Sequence, residues 1–88
     1  MYLAKVVGTV VSTSKDETLI GYKLLVVKEI DEKFKELARI AVAVDNVGAG
    51  VGEIVVVAKG SSVKSMFGDK RPPIDCAIVG IVDSVEIG

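Results

Sequence analysis

Apolar residues recur at every second position in five separate runs, and several of these runs are apolar on both faces. A period of two marks extended strands rather than helices. The first run, Tyr2 to Ser12, puts Leu3, Val7 and Val11 on one face and Val6 and Val10 on the other. Gly8 interrupts it and predicts a bulge or a sharp bend. Thr13 to Glu17 is a polar connection. A second strand runs from about Gly21 to Ile30 and sets Tyr22, Leu24, Val26 and Ile30 on one side. Asp31 to Glu36 is a charged turn, followed by strands over about Ala38 to Val44 and Glu53 to Lys59. Ser61 and Ser62 as cap and Gly68 as stop predict a one-turn helix over Val63 to Phe67. Asp69 to Pro73 is a linker, and the last strand covers about Ile74 to Val82 with Gly80 in its middle.

Val55 and Val57 oppose Ile54 and Val56, and Val79 and Ile81 oppose Ile78 and Val82. An open antiparallel sheet would keep one face polar. Burial on both faces of so short a chain predicts an all-β fold, a small closed five-stranded OB-like barrel with one short helix, in a single domain over residues 1–88.

The stretch Asp45 to Glu53 places Gly48, Gly50 and Gly52 at alternate positions between two strands. It is no dinucleotide fingerprint, because the third glycine comes one residue early and a strand, not a helix, follows. Two compatible readings remain: a tight strand connection, or a close contact near a symmetry axis where larger side chains would collide. Gly48, Ala49, Gly50 and Gly52, with Ser61 and Ser62, are the candidate axis or subunit-contact residues.

Composition changes this picture in one respect. Half of the 88 residues are apolar, mostly Val and Ile, with few aromatics and no Trp. A compact 9.2 kDa monomer would expose roughly 4,900 Å², and so apolar a chain is expected to hide part of that surface against other copies of itself. The net charge of −1 is spread without a basic patch, and Tyr2, Tyr22, Phe34 and Phe67 are not interleaved with basic residues. A single-stranded nucleic-acid-binding barrel, the alternative of the same architecture, needs such a groove, so no nucleic-acid partner is expected.

Chemistry is sparse. The chain has no His, and its one cysteine, Cys76, reads as a small buried hydrophobe rather than a nucleophile or ligand. Asp45, Asp75 and Asp83 lie at strand ends without a partner at catalytic spacing. No catalytic, cofactor or metal site is expected, and an enzyme or ligand carrier at the glycine loop is the weakest reading. A lone cysteine excludes an internal disulfide and fits a reducing compartment. No run approaches the ~20 apolar residues of a membrane span, and the N-terminus lacks a secretory pattern. The expected setting is cytoplasmic, with no membrane partner.

The residues Lys5, Val6, Val7, Gly8, Thr9, Val10, Val11, Ser12 and Thr13 resemble the opening of the bacterial microcompartment vertex proteins, the EutN/CcmL family. So do Gly21 with Lys23 to Val27, and Ala43, Val44 and Asp45 leading into the glycine loop. Gly60, Ser61, Ser62 and the closing Asp75, Ala77, Val79, Gly80, Ile81, Val82 and Asp83 complete the pattern over nearly the whole chain. The segment Asp31 to Glu36 is more charged than the family's short turn, and Lys64 stands where many relatives carry Arg. The resemblance implies a non-enzymatic homopentamer that caps the five-fold vertices of a polyhedral shell. It also implies partners in the hexameric facet shell proteins and a place in a cytoplasmic microcompartment shell, carboxysome-like or catabolic.

Overall fold

The structure, a computed structural model, describes residues 1–12, 17–60, 63 and 75–87. Five strands form: β1 (Tyr2–Val10), β2 (Lys23–Ile30), β3 (Glu36–Asp45), β4 (Ile54–Lys59) and β5 (Cys76–Ile81). A single 3₁₀ turn, Glu17–Leu19, lies between β1 and β2 where only a polar connection is legible in the sequence. Of the expected helix Val63 to Phe67, all but Val63 lies outside the described residues.

The strands close into a barrel in the order β1-β2-β3-β5-β4. Every neighbouring pair is antiparallel except β3 and β5, which run parallel and meet over only Val44↔Ala77 and Asp45↔Ile78. That short parallel seam shuts the barrel. β3 enters it only with its last residues, so its earlier part runs out with β2 as a hairpin.

Register explains the two-sided apolar pattern. Ala4, Val6, Leu25, Val27, Val55, Val57 and Ile78 alternate inward and are fully or almost fully buried. Residues of opposite parity face out, and some of these are buried as well. Val44, Ala58 and Ala77 form a second cluster outside the barrel wall, covered by Leu19 and Val63 and flanked by Tyr22, Leu24 and Val79. The 3₁₀ turn exists to bring Leu19 onto this patch.

The predicted break at Gly8 is a bulge. Val6 pairs with Val27 and Gly8 with Val26, leaving Val7 as the extra residue. The frame of β1 flips there. Val10, expected on the face of Val6, therefore stands opposite Leu24 on the outer side. A second irregularity in β5 skips Val79 between Ile78 and Gly80.

Among the described residues Leu25 leads the wholly buried side chains in size, at 1% exposure. Leu25→Ala should lower stability by about 2–5 kcal/mol, read as a shift of the urea midpoint at fixed protein concentration.

Candidate subunit interface

Among the described residues, barrel closure leaves two apolar areas on the outer wall. The first lies across β1, β2 and β3, where Gly8, Val26 and Val42 form one cross-strand row. Val42, Val7 and Ile40 are 44%, 41% and 59% exposed, and Val26 between them is half-buried. Lys5 and Lys28 continue the row of Ile40 and border this area.

The second area lies on β4 with its neighbours. Leu3, Val56 and Gly80 form a row, and Leu3, Ile54, Val56 and Val79 are all half-buried. β4 is joined only to β1 and β5, so its outer surface and that of β2–β3 point in different directions. The two surfaces are unlike, as a head-to-tail ring requires and a two-fold contact does not. The chain exposes 5517 Å², some hundreds of Å² above the ~4,900 Å² of a compact monomer of this mass.

The glycine loop between β3 and β4 is held by one carboxylate. Asp45 ends β3 with its side chain 1% exposed. Its Oδ1 accepts hydrogen bonds from the Val47 and Gly48 amides, each at 3.1 Å. Its Oδ2 lies 3.4 Å from the Lys23 ammonium, which donates in turn to the Ala49 carbonyl at 2.9 Å. Glu53 Oε1 accepts from the Gly50 amide at 2.7 Å, and the Gly52 amide donates to the Val6 carbonyl at 2.8 Å. Gly48 and Gly52 have φ of 85° and 95°, left-handed values that Gly adopts without strain.

The loop turns Ala49 inward. This residue is wholly buried in its own barrel core. Gly48 and Gly52 are exposed and Gly50 is half-buried, with Val51 beside them 63% exposed. Ser61 and Ser62 lie outside the described residues. Val7, Val26, Ile40 and Val42 are interface candidates that sequence reading did not single out. Their signal was present as the apolar outer parity of β1–β3, but the same parity also marks residues such as Val44 that the chain covers itself.

The polar candidates do not converge. Asp75 and Asp83 are exposed at opposite ends of β5, on the order of 20 Å apart at strand rise. Cys76 is buried in the core beside Tyr2. Burial and the Asp75 charge push its thiol up, and burial with Cys76 as neighbour pushes the Tyr2 hydroxyl up to about 12. Neither is poised for chemistry. Among the described residues no three His, Cys, Asp or Glu side chains could share a metal ion, and Phe34 is the one exposed aromatic.

The outer wall of this closed barrel thus carries two unlike apolar faces. Residues 1–83 match the family described as ethanolamine utilisation protein EutN/carboxysome. The chain is 57% identical over 86 residues to the bacterial microcompartment shell vertex protein GrpN of Rhodospirillum rubrum strain F11, covering 98% of this chain and 97% of that protein. It is 51% identical over 87 residues to the carboxysome shell vertex protein CcmL of a Synechocystis species, covering 99% and 87%. The solved GrpN pentameric microcompartment shell protein from Rhodospirillum rubrum is similar at a TM-score of 0.89 and 55% identity, covering 100% of both chains. This chain belongs to the EutN/CcmL family.

The Asp45 lock has a measurable signature. Burial alone would raise this carboxyl, but the hydrogen bonds from the loop amides, Val47 first, and the Lys23 ammonium outweigh it and hold it below the usual range. Asp31 is also held low, by the Lys35 and Lys33 amides. Their contribution is complete above the unfolded value near ~3.9 and is lost as pH falls through the lower folded value. Thermal midpoints should be flat above about pH 5 and fall below about pH 4. Asp45→Ala, which strips acceptors from the loop amides, should cost about 1–3 kcal/mol in urea titration at neutral pH.

Proposed function

We propose that this chain assembles as a homopentamer that closes the five-fold vertices of a polyhedral bacterial microcompartment shell. The observation that carries this reading is the pair of unlike apolar faces on one closed barrel. Repetition of one face against the other by a rotation of one-fifth turn closes a ring and hides both. The names and the pentameric structure of the relatives support the five-fold choice and the vertex role. The role is structural rather than catalytic. Its neighbours in the shell are facet tiles made by a separate, hexameric family, and its place is in the shell, within the cytoplasm.

Within that ring, the small residues of the loop carrying Gly48, Ala49, Gly50 and Gly52, or else Ser61 and Ser62, approach the axis. Five backbones converge only where side chains are small. Ala49 anchors the loop from inside while its exposed glycines meet the neighbours.

Native mass spectrometry should give a species five times the 9.2 kDa chain mass; a monomer or dimer would sink the reading. Val42→Glu puts a charge on an exposed wall position. It should leave the barrel folded within about 0.5 kcal/mol while dispersing the ring. Gly50→Trp tests the axis separately. Gly50 has no left-handed φ, and an added Cβ would meet nothing closer than Glu53 Oε1 at 3.6 Å. The backbone and a first side-chain atom are thus accommodated in the lone chain; with melting of the dissociated variant measured alongside, a pentamer of undiminished stability would count against placing this loop at the axis. The vertex role itself is read by whether added chain closes shells formed by hexameric facet proteins.

A further inference from the structure

We infer that the β2–β3 hairpin is an arm whose tip residue, Phe34, docks on the apolar β4 face of the next copy in the ring. The inference deepens the pentamer reading and rests on it. The hairpin turn is tightly made. Phe34 N–H donates to the Asp31 carbonyl, Asp31 N–H donates to the Lys35 carbonyl, and the Asp31 carboxylate accepts from the Lys33 and Lys35 amides. This is a β-turn followed by one left-handed residue, a position where hairpins place Gly or Asn. Here it is Phe34, with φ of 63°. It is the one described residue other than glycine with positive φ.

A bulky side chain in that backbone region is strained. Its own fold offers little return, because Phe34 is 45% exposed. Exposure and strain together place its use outside the protomer. The charges nearby are arranged accordingly. Lys28 faces Glu36 at 3.5 Å and Arg39 faces Glu29 at 3.4 Å, so these charges on the hairpin are paired within it. Leu37 and Ile40 then lead from the tip toward Val42 at 38% and 59% exposure.

A second copy is the occupant this geometry fits. The arm is continuous with the β2–β3 wall that forms one half of the proposed ring contact, and a heterologous ring sets that wall against the unlike face of the next subunit. A stable contact hides about 800 Å² on each partner and centres on an aromatic anchor. The apolar side chains of the wall are aliphatic, and Phe34 supplies the anchor.

The test compares wild type with Phe34→Gly and Phe34→Asn, both of which accept left-handed backbone, by sedimentation over a dilution series and by thermal melting of the dissociated chain. The expected result is a ring that half-dissociates at a concentration at least tenfold higher than wild type, from a chain that melts no lower. Rings of equal stability would overturn the arm while leaving the pentamer intact. Equal rings that no longer join facet tiles would assign Phe34 to a shell neighbour and overturn it too. Dissociated chains of both variants that melt well below wild type would make Phe34 a folding residue, against the proposal. A wild-type chain that forms no ring removes the pentamer reading and the arm with it.

Discussion

Five strands closed on one another leave an interior that only small side chains can fill. The ten residues of the main core cluster are alanines, valines, one Leu, one Ile and Cys76, with no aromatic among them. Half of the chain is apolar, far more than this interior can take. The surplus has to lie on the outer wall. Where the 3₁₀ turn and Val63 reach it, the chain covers the wall itself through Leu19, Val44, Ala58 and Ala77. Where they do not, Val42, Ile40 and Val7 stay in solvent. Barrel size, more than any single motif, leaves this chain with apolar wall that its interior cannot take.

The short parallel seam between β3 and β5 puts weight on the end of β3. Asp45 is in the seam, opposite Ile78, and its carboxylate organises the loop that follows. One residue therefore closes the barrel with its backbone and shapes the glycine loop with its side chain. Lys23, its cross-strand partner, reaches both the carboxylate and the Ala49 carbonyl. Ala49 is thereby seated as a plug in the core, and the exposed glycines are presented outward from a fixed base. The loop is rich in glycine yet rigidly tethered, through Gly50 to Glu53 and through Gly52 to Val6.

Much of this was legible in the residues. The strand count and the strand limits to within about two residues followed from alternation, and two-sided burial implied a closed sheet. Gly8 announced the bulge, but the consequence for Val10 did not follow, since a frame shift depends on which partner residue is skipped. β3 begins at Glu36, earlier than expected, because Lys28 and Ile30 on β2 extend the pairing past the charged residues. Glu36 looks like a turn residue in sequence and is a strand residue with an ion-pair partner, Lys28, across the hairpin. Of the candidate contact residues, the glycine loop was visible by composition, whereas Val7, Val26, Ile40 and Val42 were hidden among equally apolar neighbours.

Alternation and composition thus settled that the chain is an all-β barrel with more apolar surface than one barrel can bury, because the period of two and the balance of side chains are local properties. Closure of the sheet settled which apolar residues are core, which are covered by the chain's own turn and which face outward, because only strand order and register decide what stands across from each side chain. The same holds for Phe34. Its sequence neighbours read as a solvated charged turn, and only the backbone geometry of the folded hairpin reveals a strained aromatic held out at its tip.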